Sequence, residues 1–193
     1  MVNLKSLINR WKRGEDKAAE EIYNLHQTRV YRLAFGLLGN PQDAEEAALD
    51  ALVYALMNIH HYDDSRSAFP TWLHMITVSR CRDILRKRRL PMGSISGWLR
   101  NLHSRKSEDP SPEQQVVQAE DRDSVWSAIK ELSPVLREAI VLRHWGGNTY
   151  QEIADIVGCP IRTAQSRVRL AYGQLQRTLN KTITNTIIKE ISE

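Results

Sequence analysis

Residues Thr149 to Leu170, TYQEIADIVGCPIRTAQSRVRL, place two short helical patterns on either side of a Gly-Cys-Pro break. Thr149 is a suitable N-cap and Glu152, three residues on, completes a capping box, so the spacing predicts a helix from Tyr150. Ile153, Ala154 and Val157 give that helix one apolar face. Gly158 suits the left-handed position past its end, and Pro160 cannot continue it but can open another. At about 100° per residue, Ile161, Ala164, Val168, Ala171 and Leu175 then fall within an arc of about 80°, which predicts a core-facing stripe. Arg162, Gln165, Ser166 and Arg169 project from the opposite side, with Thr163 and Arg167 on the flanks. Two short helices around a tight glycine-containing turn, the second polar and cationic outside, form the helix-turn-helix pattern.

The residue types on that outer face suit DNA. A helix fits the major groove, where arginine bonds guanine and glutamine bonds adenine bidentately, while Ser, Thr and further Arg hold phosphates. No acidic residue interrupts the sequence between Asp155 and Glu190.

The remaining composition sets bounds. A chain of 193 residues suffices for one medium domain or two small ones, with the apolar and charged fractions of a soluble globular protein. Its formal charge of +4 is modest, but the charge is unevenly spread. Arg80, Arg82, Arg86, Lys87, Arg88 and Arg89 form one basic block, and Arg162 to Arg177 a second. Glu108, Asp109, Glu113, Glu120, Asp121 and Asp123 lie between them. Two separated cationic surfaces imply two contacts with a polyanion. The first residues, MVNLKSLINRWKRGED, lack the apolar core of a signal peptide, and no stretch approaches a membrane span, so a cytoplasmic protein without membrane insertion is expected. Cys81 and Cys159 are far apart and do not suggest a disulfide framework. His60, His61, His74 and Cys81 match no familiar metal spacing, so neither a metal nor a cofactor is expected.

Helical patterns fill the chain and no strand pattern competes. Leu4, Leu7, Ile8 and Trp11 mark a first helix broken near Gly14. A second runs from about Asp16 to Leu38 on the stripe Ala19, Ile22, His26, Val30, Leu33 and Leu37, with Gly39 past its end. Asn40-Pro41 starts a third, with Asp43, Glu45 and Glu46 near its positive end, continuing to about His60. Its segment Ala47 to Met57, AALDALVYALM, is apolar on nearly every face, and such a helix is either wholly buried or gives one side to a partner. A fourth helix runs from about Ala68 to Arg89, with Phe69, Trp72, Leu73, Ile76 and Leu85 among its apolar residues and the basic block at its end. Aromatics beside cations hold unstacked bases, so Trp72 has two readings, core residue or base platform. From Leu90 to about Pro112, prolines, glycines and serines indicate a linker, and helix resumes near Glu113. A further helix opens at Ser133-Pro134 and ends at Trp145. The expected fold class is all-α, two small helical domains (1–90 and 113–193) joined by a flexible linker at 91–112.

Three blocks in this order, VYRLAFGLLGNPQDAEEAALDAL (Val30 to Leu52), FPTWLHMITVSRCRDILRKRR (Phe69 to Arg89) and the stretch from Leu132 to Leu175, resemble a bacterial RNA polymerase sigma factor of the extracytoplasmic-function group. The resemblance implies that the two domains are the second and fourth sigma domains, with the third absent. It implies that Asp43, Glu45, Glu46, Leu49, Asp50 and Leu52 engage the clamp helices of the polymerase's largest subunit, although Leu49 and Leu52 stand where the family usually has a glutamine and an aromatic. The turn from His61 to Ser67, with Asp63 and Ser65, looks like the loop that captures a flipped base of the melted non-template strand. Trp72, Arg80 and Asp83 fall in the part resembling the strand-separation and minus-ten region, beside Arg86, Lys87 and Arg88. The last helix would read the minus-thirty-five duplex. The implied partners are core polymerase at its clamp helices and flap region, promoter DNA, and an inhibitory anti-sigma factor, with no catalytic activity in the chain itself. Ser79 and Pro160 replace a common asparagine and a common serine cap, and the tail from Asn180 extends past the usual end. The alternatives are a stand-alone helix-turn-helix regulator and a DNA-processing enzyme; the latter needs an activated nucleophile cluster, which the sequence does not display.

Overall fold

The computed structural model describes residues 3–89 and 125–192, with side chains described to Asn180 except that of Arg89. The linker, the acidic stretch and the start of the helix expected from Glu113 lie outside the described residues. Among the described residues all regular structure is helical, and no helix is long and apolar enough to cross a membrane.

Helix α1 (Leu4–Lys12) begins at Asn3, whose side chain accepts from the Ser6 N–H, and buries Leu7 and Ile8 against α2 (Asp16–Leu38). Helix α2 buries Ile22, His26, Val30, Leu33 and Leu37 along one side. Asn40 caps α3 (Pro41–Met57) by accepting from the Asp43 N–H at 3.0 Å, and Pro41 occupies the first turn, where its missing N–H costs nothing. A 3₁₀ turn at Ile59–His61 then precedes the long α4 (Phe69–Arg89). The α3 helix ends at Met57, short of the expected His60, because the chain tightens into that turn around buried Ile59.

The second domain contains a helical stretch at 125–131, α5 (Pro134–His144), α6 (Tyr150–Val157) and α7 (Ile161–Ser192). The capping box of α6 is present: Glu152 N–H donates to Thr149 Oγ1 at 3.2 Å, and Thr149 N–H donates to Glu152 Oε2 at 2.8 Å. Gly158 closes α6 at φ 72°, a left-handed conformation costly for any residue with a Cβ. Ala164, Val168 and Ala171 are buried as the stripe requires, and Leu175 is half-buried. Ile161 departs from the expected stripe and is 39% exposed, because the first residue of α7 precedes the turns that meet the core. Helix α7 runs without a break to Ser192, so the tail continues the recognition helix.

Two apolar clusters hold the molecule together. One lies within the first domain, where Leu7, Ile22, Val30, Leu52, Ile59 and Leu73 meet; burying each such side chain contributes about 1.5–3 kcal/mol. The other crosses between the domains. It joins Leu33, Leu37, Ala44, Val78 and Cys81 to Leu132, Ile140, Val141, Leu142 and Ile153. Both cysteines are free.

Candidate nucleic-acid interfaces

The outer face of α7 is fully presented. Arg162, Gln165, Ser166 and Arg169 are exposed, and Thr163 and Arg167 are half-buried on its flanks. Among the described residues none of the three arginines is held in an ion pair. The turn that leads into α6, the first helix of the helix-turn-helix, is held by Arg143, which donates to the Asn148 carbonyl at 2.9 Å and stacks over Tyr150 with its guanidinium 5.0 Å from the ring centroid.

The basic end of α4 is built differently. Arg80 is half-buried, its guanidinium 4.6 Å from the centroid of Tyr54 on α3. Arg82 makes two bonds to Glu138 of α5, at 2.8 and 2.7 Å. Arg86 pairs with Asp83 at 3.0 Å, and Arg88 pairs with Asp43. Lys87 is exposed.

The loop after the 3₁₀ turn rests on an aromatic seat. Buried Tyr62 donates its hydroxyl to the Ser67 carbonyl at 3.1 Å, and Tyr62 and Phe69 meet edge to face at 5.2 Å. His26, beneath Phe69, is buried, and that burial, aided by the charge of Arg29, lowers its pKa to about 4, so it is neutral at pH 7. Trp72 is half-buried and tilted against Tyr62 and Phe69 at 5.4 and 5.7 Å, leaving part of the indole in solvent. It both packs and presents a surface, so the two readings of Trp72 are compatible. Within the loop, Asp63 accepts from Ser65 N–H at 2.9 Å and Ser65 Oγ at 2.7 Å, and these bonds hold its carboxyl below the ordinary carboxylate value. His61, Asp63 and Ser65 all remain exposed.

Also in the first domain, Glu45, Glu46, Leu49 and Asp50 are exposed on α3. Asp43 is largely covered by its pair with Arg88. Leu52 is only 2% exposed and belongs to the core, touching solvent at most as part of a groove floor. That groove, about 490 Å³, runs between α2 and α3 and is lined by Tyr23, Gln27, Thr28, Tyr31, Glu45 and Leu49. The α2 side of the groove was missed in the sequence, although Tyr23, Gln27 and Tyr31 repeat at i, i+4 and i+8 on the side away from the buried stripe. The apolar excess of α3 is thus divided: Ala44, Ala47, Ala51 and Ala55 are buried, while Leu49, Val53, Tyr54 and Met57 face outward. Among the described residues no group of three or more His, Cys, Asp or Glu side chains is placed to hold a metal.

A helix-turn-helix with an open cationic face, joined to a helical domain carrying an aromatic and cationic surface, defines a two-part DNA-binding protein. Residues 22–90 match the family model of Sigma-70 region 2, and residues 122–175 that of Sigma-70, region 4. The chain is 31% identical over 168 residues to the ECF RNA polymerase sigma factor SigE of Mycolicibacterium smegmatis, covering 86% of this chain and 63% of that relative's length. It is 30% identical over 167 residues to the ECF RNA polymerase sigma-E factor of Escherichia coli, covering 84% of this chain and 86% of the relative. The solved sigma factor RpoE of Bartonella quintana, in complex with the anti-sigma factor NepR, superposes with a TM-score of 0.65 at 26% identity, over 83% of this chain and 96% of that one. This chain belongs to the extracytoplasmic-function sigma factors, the promoter-specificity subunits of RNA polymerase.

Proposed function

We propose that this sigma factor reads the minus-thirty-five duplex through Arg162, Thr163, Gln165, Ser166, Arg167 and Arg169, and the melted minus-ten element through His61, Asp63, Ser65, Trp72, Arg80, Arg86, Lys87 and Arg88. The observation that carries this reading is the α7 face, whose arginines are accessible and free of ion pairs among the described residues, while Ala164, Val168 and Ala171 anchor the opposite side. Region 1–90 is the part that binds polymerase and opens DNA, 91–112 the linker, and 113–193 the duplex reader. The clamp helices of polymerase would lie along α3 at Glu45, Glu46, Leu49 and Asp50, over the α2/α3 groove, and the second domain would meet the flap region. Asp43 and Leu52 take part as supports, through the pair with Arg88 and through the groove floor.

The chain supplies specificity and no catalysis, and it acts in the cytoplasm, where transcription occurs. The Bartonella relative was solved with an anti-sigma factor, and this chain is held by a protein inhibitor of the same kind. Run-off transcription with purified core polymerase tests the reading. The expected result is initiation at defined promoters only when the chain is added, with start sites shifting or weakening in Arg162→Ala and Arg169→Ala. DNA binding without any gain in initiation would instead indicate a stand-alone regulator.

A further inference from the structure

Helix α1 precedes residues 22–90, the part of the chain that matches region 2, and packing accounts for only part of its surface. Leu7 and Ile8 are buried, and Trp11 donates its indole N–H to the Leu56 carbonyl at the end of α3, at 2.8 Å. Lys5 and Lys12 stand three residues before and four after Ile8, so all three share one face of the helix. Neither lysine is buried, and each directs its ammonium to the loop that follows the 3₁₀ turn.

Lys12 Nζ donates to the Tyr62 carbonyl at 3.0 Å and lies 5.8 Å from the centroid of the Tyr62 ring. Tyr62 is the root of the loop, its ring packed on Phe69 and Trp72 and its hydroxyl bonded to Ser67 at the loop's other end. A backbone carbonyl shielded from water and left without a donor is costly, and Lys12 supplies one from 50 residues away. At the tip, Lys5 Nζ pairs with Asp64 Oδ2 at 2.7 Å. That pair neutralises one of two adjacent carboxylates and leaves exposed Asp63 as the loop's acceptor outside any ion pair among the described residues. A groove of about 440 Å³ lies between α1 and the start of α4, with Lys5, Lys12, Tyr62 and Asp64 among its lining. Across such a gap close packing cannot set the loop's place, and the two lysines' bonds do.

We propose that α1 positions the base-capture loop: Lys12, through Tyr62, and Lys5, through Asp64, hold His61, Asp63 and Ser65 in the arrangement that receives a minus-ten base. The inference rests on the function proposed above and adds two positioning residues to it. Without these bonds residues 61–67 would sample several arrangements, and apparent affinity for the melted strand would fall by the fraction that is competent. The effect would reach only the downstream element, because both lysines bond within the first domain.

Initiation by core polymerase with the full-length chain, on a promoter library randomised in the minus-ten element beside a fixed upstream element, tests this. Lys12→Met should raise the concentration for half-maximal initiation by about fivefold or more and flatten base preference in the minus-ten element, with unchanged helical circular dichroism. Binding to an isolated upstream duplex should stay as in the wild type, and Lys12→Arg should keep the minus-ten preference. Lys5→Asp and Asp64→Lys should each weaken initiation within about fivefold, since the pair is exposed, and the double variant should recover it. Unaltered minus-ten preference in a helical Lys12→Met would overturn the proposal. Should that variant lose helicity, the charge exchange decides, and absence of recovery in the double variant would overturn it. Asp63→Ala, within the loop itself, separates this inference from the reading it rests on. Preference changed by Asp63→Ala but not by Lys12→Met defeats the role of α1 alone; preference changed by neither defeats the role of the loop as well.

Discussion

The two cationic surfaces have similar composition but opposite arrangements. On α7 the arginines stand unpaired among the described residues on a helix anchored by small buried side chains. At the end of α4, Arg82, Arg86 and Arg88 are each engaged with a carboxylate, and Arg80 lies on an aromatic ring. On the function proposed above, the first surface would meet duplex DNA as it stands, and the second would exchange internal partners for phosphates when strands are opened on the polymerase.

Acid should separate the two regions most strongly. His74 stands on α4 at the domain contact, and burial lowers its pKa to about 4 against the opposing bond from Asn148. The folded protein therefore prefers neutral His74. Its contribution is fully present above pH 6.5 and is lost as pH falls from there toward about 4, up to about 3 kcal/mol. His26 acts in the same direction beneath the loop. In a pH titration followed by amide exchange, α4 and the loop should lose protection before the α6–α7 turn; simultaneous loss would show that the regions are not independently supported.

Substitutions on α7 come next. Arg162→Ala or Arg169→Ala should cost about 1–3 kcal/mol on the preferred upstream element, with relaxed preference at one base pair. A uniform loss on all sequences would reassign that arginine to phosphate. Binding to a duplex fragment, measured by fluorescence anisotropy, distinguishes the outcomes.

A smaller effect should appear at α4. Lys87→Ala should reduce the slope of log affinity against log salt by about 0.7–0.9. Asp43→Asn should free Arg88 and strengthen open-promoter binding by less than about 1 kcal/mol, since the pair it removes is partly exposed. Weakened DNA binding in Asp43→Asn would mean that the ion pair positions Arg88, against the contrast drawn here.

The smallest effect belongs to the loop. Ser65→Ala removes the Oγ bond to Asp63 and keeps the backbone N–H bond, so the carboxyl should return part of the way toward its ordinary value. In the wild type that carboxylate supports the loop above the ordinary value and ceases to do so as pH falls through its lowered one. An unchanged Asp63 titration by NMR would place the cause of the shift elsewhere.

Features set by nearby residues were legible in the sequence. The Thr149–Glu152 box, Gly158, Asn40-Pro41 and the α7 stripe each depend on neighbours within a few positions. What could not be read depends on contacts far along the chain. Gly36 appears in sequence as a helix weakness, and its reason stands about a hundred residues away at Val141 and Trp145. Glu152 reads as a cap, yet it also receives Thr71 from the other domain. Burial pushes its carboxyl up, but the bonds from Thr71 and Thr149 outweigh this and leave it below the ordinary value. Leu52 and Leu49 look alike in an apolar run, and only the packing of α3 on α2 and α4 puts one in the core and the other outside. Likewise the block of six basic residues at 80–89 gives no hint that Arg82 and Arg88 are committed to Glu138 and Asp43.

Sequencing of transcript 5′ ends made by core polymerase with the wild-type chain, and with its Arg169→Ala form, over a randomised promoter library tests the division of labour most directly. The account predicts defined starts with an enriched element near minus thirty-five and another near minus ten, and loss of preference in Arg169→Ala confined to the upstream one. Starts no different from those of core polymerase alone, or a change confined to the downstream element, would contradict it.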